Sequence, residues 1–146
     1  MRILGHPVHP LLVHFPTALL PMEFALQALY RNTQDFSNYN ASYYCLWGAL
    51  IGGAGAVLTG LVDSFAVARE KRKALPTILY HAALNAIVLL AYALLLSKEA
   101  SLFPNAYNGG GLWLRGILLA LLFFGNYLGG KLIYHFGAGI KIQDHD

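Results

Sequence analysis

Four long apolar stretches joined by polar connections constrain this chain more than any other feature. They run from about Pro10 to Tyr30, Tyr43 to Ala68, Leu75 to Leu96 and Gly111 to Phe136. About 20 apolar residues span a bilayer as one helix. A backbone inside hydrocarbon satisfies its N–H and C=O groups only in a helix or a closed barrel. No strand alternation occurs in the chain, so the expected fold is all-α. It is an integral membrane four-helix bundle, one transmembrane domain over 146 residues. Charged residues make up 12% of the chain, against about 25% in an ordinary soluble domain, which excludes that class. The net charge of +3 is too small and too confined to loops to point to nucleic acid.

Prolines and glycines punctuate the spans. Pro10 suits a first helical turn, whose N–H groups have no partner anyway. Pro16 and Pro21 lie deeper and are expected to kink the first helix. The expected connections are 31–40, the charged segment Arg69-Glu70-Lys71-Arg72-Lys73, and 97–110 with Pro104 and a glycine run. His and Pro interrupt the start of the first apolar stretch and no small-residue cleavage pattern ends it, so no cleavable signal peptide is expected. Cys45 is alone, which excludes a disulfide framework and a CxxC metal site. It is expected to be an ordinary buried thiol.

Four spans place both termini on one face. That face carries Arg2, Arg69, Lys71, Arg72, Lys73, Lys131 and Lys141, and the other Arg31, Lys98 and Arg115. Lys and Arg collect in cytoplasmic loops, so the termini are expected in the cytoplasm, in a multi-pass membrane protein. Tyr30, Tyr39, Tyr43, Tyr44, Tyr107 and Trp113 fall towards the opposite face, as an interfacial aromatic belt does.

Polar residues converge near the terminal face. His14 lies about one turn inside span one, Asp63 about one turn before the end of span two, His81 about one turn inside span three, and His135 closes span four. At a rise of about 1.5 Å per residue, all four sit within roughly 5–8 Å of that edge. His6 and His9 precede span one and can fold over the same place. The His6-Pro7 and His9-Pro10 steps favour extended backbone before each proline, giving a stiff arm. His81 and Asn85 share a helix face, as do Lys131 and His135. Gly52, Ala56, Thr59 and Gly60 form a small-residue stripe beside Asp63, and Gly125 and Gly129 form another. Such stripes let helices, or a flat ligand, approach the backbone. Simple helix packing is their commoner use, as hydrogen bonding is for a single interfacial histidine. Glu23 lies near the middle of span one, where a bare carboxylate is costly. It is expected to be protonated, paired with a residue such as Asn126, or part of a proton path, with structural pairing favoured.

Three readings follow. In the first, one haem b is held by His14 and His81 with His135 in reserve. Gly60 gives the ring room, Asn85 or Asp63 orients a ligand, and Lys131, Arg69 or Arg72 faces the propionates. The role is then electron transfer. A second, stacked haem is excluded, because the deeper positions hold Gln27, Leu94 and Leu95 where ligands would be needed. In the second reading His6, His9, His14, His81, His135 and Asp63 bind a transition metal without haem. In the third there is no cofactor: the chain is an accessory subunit of a larger membrane complex, its histidines orienting helices or relaying protons. No hydrolase signature or phosphate-binding loop is present. A non-catalytic electron-transfer or accessory subunit is therefore favoured over an enzyme, with the lipid bilayer and other redox subunits as partners. The small-residue stripes are also compatible with a homo-oligomer.

Several stretches carry a family resemblance. Gly5-His6-Pro7-Val8-His9-Pro10 with Val13-His14-Phe15-Pro16 resembles the opening signature of the bacterial four-helix membrane family known as domain of unknown function 2231. Thr59-Gly60-Leu61-Val62-Asp63, His81-Ala82-x-x-Asn85 and Gly129-Gly130-Lys131-Leu132-Ile133-Tyr134-His135-x-Gly137 are similar to its other recurring stretches, in the same order. The resemblance implies a compact four-helix membrane protein with no established activity. Some relatives are fused to, or lie beside, Rieske or cytochrome modules, which favours electron transfer. Here the redox partner would be another polypeptide.

Overall fold

In the computed structural model, which describes residues 2–3, 6–100 and 110–138, with side chains over 7–97 and 111–138, four helices form the bundle. They are α1 (Val8–Thr33), α2 (Phe36–Glu70), α3 (Leu75–Ala100) and α4 (Gly110–Tyr134), with a 3-10 turn at Arg72–Ala74 before α3. A two-residue antiparallel pairing, Arg2–Ile3 with His6–Pro7, precedes α1. All four helices are long and apolar enough to cross a membrane. No more than 33% of the most apolar window of any of them is buried. The remaining surface carries Phe65, Trp113, Leu90 and Ile51, each more than 60% exposed. That is a hazard in water and the ordinary condition of a lipid-facing helix.

The helices differ from the apolar runs at their ends. α1 begins at Val8, so His9 and Pro10 are helical and the second His-Pro step is not extended. Pro10 sits among the first helical residues, whose N–H groups need no intrahelical partner. Both Pro16 and Pro21 lie inside α1. Each removes the N–H that would have met the carbonyl four residues earlier. The expected ten-residue loop shrinks to Gln34 and Asp35. Gln34 closes α1 in the left-handed region with φ 56°. The Asp35 carboxylate accepts from the Ser37 amide at 2.9 Å and starts α2 seven residues before its apolar run. With 35 residues, α2 is roughly 50 Å long and projects beyond the hydrocarbon. The connection with Pro104 lies outside the described residues.

α1 and α3 each pack between α2 and α4, so they face each other across the bundle diagonal. Where hydrocarbon surrounds the helices, apolar side chains gain little by leaving the lipid, and close packing holds helices together. The α1–α2 seam meets that need with glycine. Leu19 lies over Gly48, Phe15 over Gly52, Leu12 over Gly55 and the His9 ring over Gly60. Leu20, Leu46, Val88, Tyr92, Leu118 and Leu122 fill the centre. Rings gather at the α1–α2 turn, Tyr30 lying 5.4 Å from Tyr39 and 5.6 Å from Phe36, with Trp113 79% exposed. Tyr107 lies outside the described residues.

Two expectations about single residues change. Arg115 is not a surface cation of the opposite face: it is 2% exposed, and its Nε donates to Glu23 Oε1 at 2.7 Å. Glu23 therefore pairs with Arg115, while Asn126 Nδ2 donates to Thr17 Oγ1 at 3.2 Å. Cys45 is half-buried.

Candidate functional site

α1 starts, α2 ends, α3 starts and α4 ends at one end of the bundle, and the histidines meet there. His9 projects from the first turn of α1 onto α2. Its Nδ1 donates to the Ala56 carbonyl at 2.8 Å, and a Cβ on Gly60 would stand 2.8 Å from its Cε1. His81 projects from α3 onto α4 in the same manner. Its Nδ1 donates to the Gly125 carbonyl at 2.8 Å, and a Cβ on Gly129 would stand 3.0 Å from its Cε1. The two rings are edge to face, with centroids 6.4 Å apart and planes at 89°.

A carbonyl only accepts, so each Nδ1 carries a proton, and in the neutral tautomer this leaves the lone pair on Nε2. Binding one ring nitrogen to a fixed acceptor sets tautomer and orientation, the arrangement by which ligating histidines are held. Asn85 lies one turn further along the same face of α3. Its Nδ2 donates to the His81 carbonyl at 2.8 Å, and a Cβ on Gly125 would stand 2.9 Å from it. The i, i+4 pair His81/Asn85 thus seats on the i, i+4 pair Gly129/Gly125 of the antiparallel α4. Gly60 and Gly129 are small because imidazoles occupy the space in front of them.

Both histidines line a cavity of about 830 Å³ that reaches Thr17, Asp63, Asn126 and the ends of α2 and α4. Its size falls within the roughly 300–1,000 Å³ of small-molecule and cofactor sites. His14 also lines it, exposed, with Nδ1 donating to the Pro10 carbonyl of its own helix at 2.6 Å. His14 is thus oriented along α1, and the ring that pairs with His81 is that of His9. Asp63 lines the wall half-buried, and Glu70 and Lys71 lie nearby. Lys71 donates from Nζ to the Phe136 and Gly137 carbonyls at 2.6 and 2.8 Å. It thereby satisfies carbonyls that the end of α4 leaves open.

The other expected site residues stand apart. Lys131, in the last turn of α4, and His135, just past it, are exposed and line a second groove of about 480 Å³ that shares Gly130 with the larger cavity. Neither they nor Arg69 and Arg72 line the larger cavity. The His6 side chain lies outside the described residues. Among the described residues, no group of three or more His, Cys, Asp or Glu is placed to hold a metal ion. Reading the chain linearly put His9 in an extended arm and so missed its pairing. The signal available was the matched spacing of Gly125/Gly129 with His81/Asn85.

No curated protein and no solved structure matches the chain significantly. A family model does match, over residues 5–142, under the description "Predicted membrane protein (DUF2231)". That span holds the opening histidine-proline signature, all four helices and both glycine-seated histidines, and this chain belongs to that family of predicted membrane proteins.

Proposed function

We propose that this chain is a membrane-embedded redox subunit that holds one metal centre between His9 and His81, near one membrane face. The observation that carries the reading is the pair itself. Two imidazoles from diagonal helices are each locked by Nδ1 to a backbone carbonyl, which leaves Nε2 as the ligating nitrogen of the neutral ring, and both residues line one cavity. Their ring centres lie 6.4 Å apart, close enough for one bound group to be held by both.

Donor count favours haem b over a bare ion. Zinc or copper takes three or four protein ligands, whereas haem iron brings its own ring nitrogens and asks for axial ligands only. A bound haem supplies a one-electron couple. Gly60 and Gly129 let the two imidazoles sit against the backbone, and Asn85 steadies the α3 ring. Asp63 and Thr17 line the same cavity, with His14 as the reserve donor. The electron donor and acceptor would be other polypeptides in the membrane.

The second reading is a cofactor-free accessory subunit whose histidines orient helices or relay protons. It is supported by the placement of the donors: among the described residues, no three His, Cys, Asp or Glu are grouped so as to hold a metal ion. An optical spectrum of the detergent-purified protein, air-oxidised and then dithionite-reduced, separates the two. The redox reading expects a Soret band that shifts and sharpens, lost in His9→Ala and His81→Ala and kept in His14→Ala, with unchanged helical circular dichroism. A colourless, metal-free preparation would establish the accessory reading instead.

A further inference from the structure

The groove at the end of α4 touches the histidine cavity only at Gly130 and otherwise has a lining of its own. Its lining is Tyr127, Gly130, Lys131, Tyr134 and His135, and its volume is about 480 Å³. These residues follow the i, i+3, i+4, i+7, i+8 spacing of one helix face. Gly130 forms the floor: a Cβ there would find its nearest atom, Tyr134 Cδ2, at 4.0 Å. The groove is therefore open and not filled by a neighbouring helix. Tyr127 is 67% exposed and Tyr134 89%. Lys131 and His135, one turn apart, are exposed too.

Depth gives the groove two chemically different halves. Lys131 lies in the last turn of α4, a helix long and apolar enough to cross a membrane, and His135 just past it, the part of such a helix that meets the headgroups. Towards the membrane interior, Tyr127 stacks on Phe124, with centroids 6.3 Å apart and planes at 20°. Phe123 and Phe124 are more than half exposed. A cationic end therefore continues into an apolar, aromatic wall. Lys71 ties the basic α2–α3 connection to the carbonyls of Phe136 and Gly137, which brings Arg72 and Lys73 to the same end, beside the acidic Glu70. No salt bridge involves Lys131 among the described residues.

We propose that this face of α4 holds one anionic phospholipid. Its phosphate sits between Lys131 and His135, and an acyl chain lies along Tyr127 and Phe124. Lys supplies a compact point charge for phosphate, and an amphipathic ring at the interface suits a tyrosine. The bound group is a resident lipid, distinct from the diffuse attraction of a polybasic loop to an anionic leaflet.

The test is native mass spectrometry of the delipidated full chain, titrated with phosphatidylglycerol or phosphatidylcholine. One phosphatidylglycerol is expected to be retained at least tenfold more strongly than phosphatidylcholine. Lys131→Gln with His135→Gln should abolish the preference, while Arg69→Gln, outside the groove, should keep it. Gly130→Leu fills the groove without altering charge and favours helix, so it should also lose the lipid. Equal retention of the two lipids, or equal loss in Arg69→Gln, would overturn the proposal. So would undiminished retention in Gly130→Leu. A bound inorganic phosphate that displaces the phospholipid completely would overturn it too, by placing the affinity in the phosphate alone.

Discussion

The Glu23–Arg115 pair joins the middle of α1 to the start of α4, and removing one partner tests what holds that seam. The Nε–Oε1 distance is 2.7 Å, with side chains 3% and 0% exposed. At an effective dielectric of about 20, two unit charges at that distance attract by about 6 kcal/mol. Desolvation of each ion costs several kcal/mol, so the net value of the intact pair is small. Breaking it is different, because the surviving ion loses its 2.7 Å counter-charge at a site that water barely reaches, with side chains only 3% and 0% exposed. Arg115→Met and Glu23→Leu are each expected to destabilise the bundle by about 3–5 kcal/mol. The double variant replaces both ions with apolar groups and should recover most of that loss. At roughly 3 °C per kcal/mol for a chain of this size, each single variant should melt about 10–15 °C lower. The double variant should lie within a few degrees of the parent. The assay is thermal unfolding in mild detergent, followed by circular dichroism across the full cycle of variants. Independent sites add within about 0.5 kcal/mol. A double variant that melts at the sum of the two single losses would refute the argument.

Four further outcomes follow from local geometry. Gly60→Leu places side-chain carbon where His9 Cε1 would stand 2.8 Å away; it should displace the ring and remove any His9-dependent absorbance. Gly55→Ala, meeting only the flexible end of Leu12 at 3.0 Å, should leave the absorbance intact. Gly137→Ala forces a Cβ into φ +62° with Lys71 Nζ at 3.0 Å. It should cost about 1–2 kcal/mol and be read as a lower melting temperature. The Ser37 amide, and then its hydroxyl, hold the Asp35 carboxyl below the usual carboxylate range. Its support of the α2 start is complete above the ordinary carboxylate pKa and is lost as pH falls through the lowered value. The protection factors of the Ser37 and Asn38 amides, corrected for intrinsic exchange, should fall over that acid window and show no such step in Asp35→Ala.

The membrane-crossing helices were legible because hydropathy is a property of consecutive residues. Their ends were less so. The Asp35 cap extends α2 through Ser37, Asn38 and Asn40, which no apolar window includes. The ion pair escaped for a similar reason: Arg115 is near a connection in sequence, and only the rotation of α4 turns it onto Glu23. The convergence of polar residues at one end could be read from antiparallel spans alone. Which histidine faces which could not, because pairing depends on helix rotation and relative sliding. Hydropathy encodes neither, and the glycines that encode both, Gly60 and Gly129, also fit plain helix packing.

His9 and His81 belong to helices that meet α2 and α4 far more than each other. A ligand joining their two rings would act as a diagonal brace across a four-sided frame. A frame with a brace resists shear that its edges alone allow. Occupancy should then slow hydrogen exchange in α1 and α3 together, far from the bound group. It should also raise the unfolding free energy by RT ln(1 + [L]/Kd). The mechanical state of the whole bundle would report whether its one diagonal is closed.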